Sequence, residues 1–283
     1  MRCIIFYFAS LLLTCSPLLW RGGGGEVLAS DNSPRSSGIG SASVSLTDMW
    51  AVQNNQAGLG FIKITTAGIS YQNQFLLKEL STKSFACAFP IKSGTFGISI
   101  SNFGYSLYSE NKIGLGFGKS FGEKIAVGIS MDYFRTSISE YGNKNYFAAE
   151  IGIQAKPFKN LTLGAHLFNP TRTKFTSYND ERIPTIMRLG LDYKFSEKIF
   201  IALETEKDIE KKTTVKAGIE YELIKKVYLR AGISTHPSLS CFGIGINLKQ
   251  FKLDISSTYH STLGSSPQIG LIYEFATAKS KAS

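Results

Sequence analysis

The stretch KIGLGFGKSFGEKIAVGISMDYF, residues 112–134, decides the fold class. On both sides of the turn at 121–123 every second residue is apolar, as in Ile113, Leu115 and Phe117, and the residues between them are mostly glycine or polar. Successive side chains of a β-strand point to opposite faces of a sheet, so this alternation predicts two antiparallel strands joined by a short turn.

The same unit of alternating strand and turn repeats from residue 64 to residue 275. Such repetition is the sequence signature of a closed barrel in a membrane, and bacterial barrels usually have an even number of strands. We therefore predict an all-β fold, a transmembrane antiparallel β-barrel of about 14 strands. The predicted strands are 64–71, 84–91, 95–103, 112–120, 124–134, 145–156, 161–168, 185–195, 199–206, 213–223, 227–234, 241–248, 251–259 and 268–275.

The predicted connections alternate in length. Short ones lie at 92–94, 121–123, 157–160, 196–198, 224–226 and 249–250, and mostly longer ones at 72–83, 136–144, 169–184 and 260–267. Membrane barrels of the bacterial outer membrane have short periplasmic turns and longer outer loops. A soluble β-sandwich gives no reason for this asymmetry, so the connection lengths support a barrel independently of the alternation.

The two faces of the predicted strands differ in chemistry. One face is apolar and carries no charge, whereas the other carries glycine, serine and charged residues. A Lys or Arg side chain that faces lipid at mid-bilayer costs about 2–4 kcal/mol in a barrel. The segregation therefore predicts lipid outside and a polar lumen inside. The inverse arrangement, a soluble barrel with an apolar core, stays open but would place most of the glycines on the solvent face.

The composition fits a barrel and excludes a bundle of membrane helices. The chain is 43% hydrophobic, its mean hydropathy is +0.00, and no later window approaches the run of about 18 apolar residues that a transmembrane helix needs. The net charge of +10 favours anionic lipid head groups or an acidic partner, although lysines in short turns also fit solvated loop tips. The sequence carries no nucleic-acid-binding signature.

The N-terminus predicts export. Residues 1–29 resemble a secretory signal peptide, with a basic Arg2, an apolar core at 4–13 and small residues before the end of the segment. A lipoprotein that begins at Cys15 is the alternative, but the residues before this cysteine lack the usual small side chain. The predicted location is the outer membrane of a Gram-negative cell.

Residues 30–63 are predicted to form a linker and a lumenal plug, followed by the barrel at 64–275 and a polar tail at 276–283. Within the plug, 38–61 is rich in small residues and does not read as a hairpin, and residues 45–48 fit the cap of a short helix at 49–52. The alternative is an ordinary leader that lies in the periplasm.

Charged residues on the lumenal face predict an ion-pair network rather than an active site. Opposite charges on adjacent strands pair across the sheet, and the carboxylate pairs Glu204/Glu206 and Glu220/Glu222 have such neighbours. A lumenal hydrolase that uses these carboxylates is the weakest interpretation. The predicted network comprises Arg188, Asp192, Glu204, Lys216, Glu220, Arg230, Lys252 and Asp254.

Other chemistry is not predicted. Residues 114–120 resemble a phosphate-binding loop, but their glycine spacing is wrong, and no nucleophile motif is present. His166, His236 and His260 are scattered without ligand spacing, so we predict no metal and no cofactor. The chain is therefore expected not to be an enzyme.

A family resemblance lies in the plug. The small-residue run, residues 45–50 and then Asn55-Gln56-Ala57-Gly58-Leu59 resemble the N-terminal signature of FadL-like barrels, especially the PorV/PorQ family of Bacteroidota outer membranes. That family carries Asn-Pro-Ala-Gly-Leu there, whereas this chain has Gln56 at the proline position. Looser similarity continues at 188–195, 204–208, 218–221 and 230–233.

The resemblance implies a barrel of about fourteen strands with the N-terminal segment inside. A FadL-like function would pass a hydrophobic small molecule laterally into the membrane. A PorV-like function would be a non-enzymatic accessory of type IX secretion, in which the loops at 169–184 and 136–144 meet secretion machinery or a cargo protein. The predicted gate for the first function comprises Trp50, Asn54, Asn55, Gln56, Ala57 and Leu59.

Overall fold

The computed structural model describes residues 32–173 and 183–275. The predicted signal peptide, the predicted tail and part of the predicted loop at 169–184 lie outside the described residues. The described part contains fourteen strands: β1 (Thr66–Asn73), β2 (Ser81–Ile91), β3 (Gly94–Gly104), β4 (Tyr108–Phe121), β5 (Ile125–Ile138), β6 (Gly142–Phe158), β7 (Leu161–Phe168), β8 (Ile186–Lys194), β9 (Ile199–Asp208), β10 (Thr214–Ile224), β11 (Val227–Thr235), β12 (Ser238–Leu248), β13 (Phe251–His260) and β14 (Gly264–Glu274).

The strands form one closed antiparallel barrel. Each strand pairs with its neighbours in sequence, and β1 closes the barrel by pairing with β14, with Thr66 opposite Glu274 and Gln72 opposite Gln268. The predicted all-β barrel of fourteen strands is therefore confirmed.

Burial follows the predicted two faces. In β5, Ile125, Ile129 and Met131 are exposed on the outer surface, whereas Gly128 and Asp132, which alternate with them, are buried in the interior. The outer surface is thus apolar and the inner surface is polar or glycine. No helix in the described residues is long and apolar enough to cross a membrane.

The two ends of the barrel differ in their connections. One end, the short-turn end, has the connections 92–93, 122–124, 159–160, 195–198, 225–226 and 249–250. The other, the loop end, has the connections 74–80, 105–107, 139–141, 169–185, 209–213, 236–237 and 261–263. Several loop-end connections are shorter than the sequence predicted.

The reason for this difference is that strands extend into predicted loops. β5 and β6 continue into the stretch predicted as a loop at 136–144 and leave only residues 139–141 as the connection. Aromatic pairs lie at the base of the extension, where facing rings on the two neighbouring strands pack well. The Phe134 and Tyr146 rings, for example, stack with their centroids 5.0 Å apart.

The N-terminal segment, residues 32–61, lies inside the barrel and contains α1 (Pro34–Gly38), α2 (Ala51–Asn54) and a 3-10 helix (Gln56–Phe61), and the partly exposed residues 62–65 connect it to β1. The helix predicted at 49–52 begins two residues later than expected. The Asp48 Oδ1 atom accepts the N–H of Trp50 and the Asp48 carbonyl accepts the N–H of Ala51, each at 3.0 Å, so residues 48–50 form a turn that precedes the helix at Ala51.

Glycines on the lumenal face allow the wall to lie directly against the N-terminal segment, in most cases against its backbone. A β-carbon at Gly128 would overlap the Gln56 carbonyl carbon, and one at Gly232 would overlap the Gly40 nitrogen. Only glycine permits such an approach. We call these residues the glycine belt: Gly118, Gly128, Gly152, Gly164, Gly190, Gly218 and Gly232.

Candidate functional site

The apolar face of the N-terminal segment is built around Trp50 and Leu59, two of the six predicted gate residues. Trp50 is 1% exposed and Leu59 is fully buried. The cluster comprises Met49, Trp50, Ala51, Val52 and Leu59 from the segment, Ala86 and Ala88 from β2 and Ile272 from β14. The wall contributes small side chains here, so the large apolar groups of the cluster come mainly from the segment.

The polar face of the same segment carries Asn55 and Gln56. The Asn55 Nδ2 group donates to the Val44 carbonyl at 2.7 Å, and its Oδ1 atom accepts the Ala57 N–H at 3.2 Å. The Gln56 Nε2 group donates to Glu150 Oε2 at 2.5 Å. A proline at position 56 could not make this last contact, and the Gln56 side chain ties the segment to β6.

Asn54 lies between these two faces and has an unusual environment. It is 2% exposed, and neither its side-chain nitrogen nor its side-chain oxygen has a hydrogen-bond partner among the described residues. A buried polar group without a partner costs about 1–3 kcal/mol. Asn54 follows Trp50 by one helical turn, and its N–H donates to the Trp50 carbonyl at 3.1 Å. The apolar cluster therefore lies beside the side-chain amide of Asn54, which has no hydrogen-bond partner among the described residues.

The predicted ion-pair residues form separate groups rather than one network. In the first group, Arg230 contacts Glu220 and Asp254, each at 2.6 Å. Arg35 of the N-terminal segment joins this group by contacting Glu220 at 3.0 Å and Asp48 at 3.4 Å. Arg35 was not predicted from the sequence, because no local pattern indicates that it pairs with Glu220, which lies far from it along the chain.

Arg35 and Asp48 influence each other within the segment. Burial opposes the charge on Arg35, but Glu220 and Asp48 hold the pKa of its guanidinium above the ordinary value. Burial also raises the pKa of the Asp48 carboxyl, although Arg35 acts in the opposite direction. Each charge in this pair therefore depends on its partner to remain stable inside the barrel.

The second group joins β8, β9 and β10. Lys216 contacts Glu204 at 3.0 Å and Glu206 at 2.7 Å, and Arg188 contacts Glu206 at 3.2 Å. The second oxygen of Glu204 accepts the backbone N–H groups of residues 43–44 at 2.7 and 2.8 Å. This group therefore also holds the N-terminal segment.

The last two predicted members lie apart from these groups. Lys252 contacts Glu274 at 2.5 Å near the short-turn end. Asp192 is buried and hydrogen-bonds with the side chains of Thr162 and Ser45. The structure therefore places Asp192 against the segment through hydrogen bonds rather than through a described ion pair.

A third ion-pair group was not predicted from the sequence. Lys112 contacts Asp132 and Glu150, each at 3.0 Å, and His166 contacts Glu150 at 3.0 Å. Gln56 donates to the same Glu150 carboxylate. All four wall residues lie on the lumenal face. The alternation along each strand, combined with the strand register, therefore indicates that they can contact each other, whereas the position of His166 along the chain alone does not.

The carboxylate pairs considered for acid/base chemistry have partners. Glu204 and Glu206 share Lys216, Glu220 lies between Arg35 and Arg230, and the Glu222 side chain accepts a backbone N–H. In the described residues no group of three or more His, Cys, Asp or Glu side chains is arranged to hold a metal ion. The arrangement neutralises charge and anchors the segment.

A cavity of about 390 Å³ lies beside the first ion-pair group. It is bordered by Arg35, Asp48 and Met49 of the segment and by charged wall residues that include Lys252 and Glu274. None of the six predicted gate residues lines it. The cavity has both charged and apolar lining, and it borders the cluster around Trp50 through Met49 and Ile272.

Known proteins resemble this chain in structure rather than in sequence. No protein-family model matches the sequence, and no curated protein matches it. The fold is similar to that of the toluene transporter TbuX of Ralstonia pickettii, with a TM-score of 0.67 and 11% identity over 86% of this chain and 98% of the other.

Two further solved structures share the fold. The toluene transporter TodX of Pseudomonas putida is 12% identical, with a TM-score of 0.64 over 84% of this chain and 96% of the other. A FadL homologue of Pseudomonas aeruginosa is 12% identical, with a TM-score of 0.60 over 85% of this chain and 98% of the other. These neighbours establish a FadL-like barrel fold.

Proposed function

We propose that this protein is a non-enzymatic barrel of the outer membrane that binds or passes a hydrophobic small molecule. The observation that carries the proposal is the apolar cluster around Trp50, which lies inside the barrel next to the unpartnered amide of Asn54. Ligand sites are mostly apolar with a few placed polar groups. The ligand is therefore a mainly apolar molecule, and a hydroxyl or carboxyl group on it would bind the Asn54 amide.

The gate residues have different roles in this proposal. Trp50, Asn54 and Leu59 contact the ligand, whereas Asn55, Gln56 and Ala57 hold the segment against β5 and β6. The fold similarity to two toluene transporters and a FadL homologue supports this class of ligand. In this arrangement the short-turn end faces the periplasm, as is usual for bacterial barrels.

Fluorescence of Trp50 tests ligand binding directly, because Trp50 is the only tryptophan after residue 29. Bromine quenches tryptophan only at short range, so we expect saturable quenching of the purified protein by dibrominated stearate and by bromobenzene. Bromide ion, which has no apolar surface, is expected to quench little. Quenching by both organic probes that rises linearly without saturation would show that the cluster is not a binding site.

Uptake in cells tests transport. A Gram-negative host that lacks its own hydrophobic-substrate channel should take up labelled toluene or oleate faster when it makes this protein. Replacing Trp50 by alanine should change the uptake rate, and replacing Tyr141, an aromatic residue that is 79% exposed at the loop end, should not. Equal uptake with and without the protein, for both probes, would refute the transport proposal.

The second candidate is an accessory of protein secretion. The observation in its favour is a set of exposed apolar residues at the loop end, where they are accessible to another protein. They are Leu76, Leu77, Leu107, Ile209 and Leu263. The structural neighbours, which are named as small-molecule transporters, do not favour this candidate. Co-purification of a specific exported protein with the full-length chain, lost when these residues are replaced by serine, would support it.

A further inference from the structure

Lysines surround the short-turn end of the barrel. Each of its six connections contains at least one lysine, and further lysines lie at the adjoining strand ends. We call the exposed members the lysine ring. It comprises Lys63, Lys92, Lys119, Lys124, Lys159, Lys194, Lys198, Lys225, Lys226 and Lys249. The exposed acidic residues at the same end are Glu123 and Glu197, so this rim is strongly positive.

The loop end has a different distribution of charge. The connections at 105–107, 236–237 and 261–263 contain no lysine or arginine, and the exposed Lys78 is followed directly in sequence by the exposed Glu79. The continuous ring is therefore a property of one end rather than a consequence of the overall net charge.

The lysine ring is not neutralised by the protein itself. Among the described contacts, only Lys194 is paired with a carboxylate, that of Glu197 at 2.8 Å. Ten ammonium groups around one rim repel each other, and an external anion would relieve this repulsion. The ring thus has the character of a binding surface whose counter-charges come from another molecule.

The depth of the ring matches a membrane interface. Exposed aromatic side chains lie beside the lysines, as Phe121, Phe158 and Phe195 do, and aromatic residues of membrane proteins concentrate at the head-group level. The Lys119 ammonium lies 5.6 Å from the centre of the Phe121 ring. A lysine in this position extends its charged end toward the polar boundary of the bilayer.

We propose that the lysine ring binds the phosphate groups of anionic phospholipids in the leaflet around the short-turn end. The lysines are spread over all six turns, and lipids are the partners that surround a barrel on every side; a protein partner would need a compact patch instead. Lysine near an anionic membrane surface is attracted to it. This inference rests on the proposed membrane location but not on the transport of a hydrophobic molecule.

Lipid competition measured by native mass spectrometry tests the proposal. The full-length protein in a neutral detergent is mixed with equal amounts of phosphatidylglycerol and phosphatidylcholine that carry the same acyl chains. We expect phosphatidylglycerol adducts to dominate. In the ring variant Lys92→Gln, Lys159→Gln, Lys225→Gln and Lys249→Gln, we expect this preference to fall by up to about fivefold for each lysine removed.

A matched variant at the loop end controls for the loss of net charge. It carries Lys78→Gln, Lys83→Gln, Lys207→Gln and Lys212→Gln, and should keep the lipid preference of the native protein. Both variants are first checked for the gel shift on heating that marks a folded barrel. Equal binding of the two lipids by the native protein, or an equal loss in both variants, would overturn the proposal.

Soluble extracts distinguish a protein partner from lipid. If the ring variant keeps the lipid preference but loses an acidic protein that co-purifies with the native chain, the ring binds protein and the lipid proposal is wrong. High salt provides an independent check, because exposed charges are screened within about 10 Å at 0.1 M salt. The preference for phosphatidylglycerol should decrease as salt is raised.

Discussion

The two faces of the N-terminal segment meet the barrel wall in different ways. The polar face is fixed by directional contacts, such as the Gln56 bond to Glu150 and the Glu204 bonds to backbone N–H groups. The apolar face, around Trp50, touches alanine and glycine through non-directional packing. When the segment moves, a buried hydrogen bond or ion pair loses its geometry and its stabilisation together, whereas apolar side chains can repack after a small displacement. The segment is therefore anchored on one side and adaptable on the other.

Removing both faces together should have the largest effect. A chain that lacks residues 38–60 loses most of the segment from the lumen, and the glycine-lined wall around the missing residues then encloses open space. We expect single-channel conductance in planar bilayers to rise from a closed level to a clearly open one, and antibiotic sensitivity of the host to increase. Unchanged conductance and sensitivity would show that the segment is not a plug.

Removing a contact of the polar face alone should have the second-largest effect. Replacing Glu150 by leucine leaves the Gln56 amide with the Val52 carbonyl as its one described acceptor, and removes one of the two carboxylates that contact the buried Lys112. Loss of one member of a buried ion pair typically costs about 3–5 kcal/mol. We expect a reduction of this order in the free energy of unfolding, measured in urea by Trp50 fluorescence.

The control for this variant removes every charge of the group. Replacing Lys112 by methionine, Asp132 by asparagine and Glu150 by leucine leaves neither a buried ammonium nor a buried carboxylate without its partner, so part of the lost stability should return. If the triple variant is as unstable as the sum of the three single variants, the three residues are not coupled and the anchor has been misidentified.

A change in the glycine belt should have a smaller effect. A β-carbon at Gly128 would overlap the backbone of Gln56, so Gly128→Ala should lower the free energy of unfolding by about 1–3 kcal/mol. Gly116→Ala provides the matched comparison, because its β-carbon would lie 3.2 Å from the flexible Gln56 side chain. Equal stability of the two variants would argue against close backbone packing at Gly128.

The smallest expected effect is on the apolar face. Val52→Ala removes two methyl groups from the cluster, which costs about 1.5 kcal/mol at roughly 0.8 kcal/mol for each group. Because the variant enlarges the apolar space beside Trp50, saturable quenching by bromobenzene should change in affinity. A quenching curve identical to that of the native protein would place the ligand elsewhere.

The barrel was predictable because the sequence patterns that indicate it lie within single strands and the short turns between them. Alternation along a strand such as β4 reports which side chains face lipid, and short turns report which strands are neighbours. The extension of β5 and β6 was not predicted, because the mostly polar residues at 136–138 and 142–144 continue the strand pairing without an alternating apolar pattern.

The candidate site was only partly predictable. Sequence identified the charges on Glu204, Glu220 and Arg230 because each lies on the lumenal face of a strand. It did not identify Arg35 or the contact between Gln56 and Glu150, because these depend on where the segment rests inside a closed barrel. No spacing along the chain encodes a contact between residues 94 positions apart.

The glycine belt also limits how this sequence can change over time. A larger side chain at any belt position needs a compensating retreat of the segment, and a bulkier residue in the segment needs a gap in the wall. Seven strands and one N-terminal segment therefore share a single steric constraint. Substitutions in either are expected to be accepted in pairs, so that the inner surface of the barrel and the segment within it evolve as one unit.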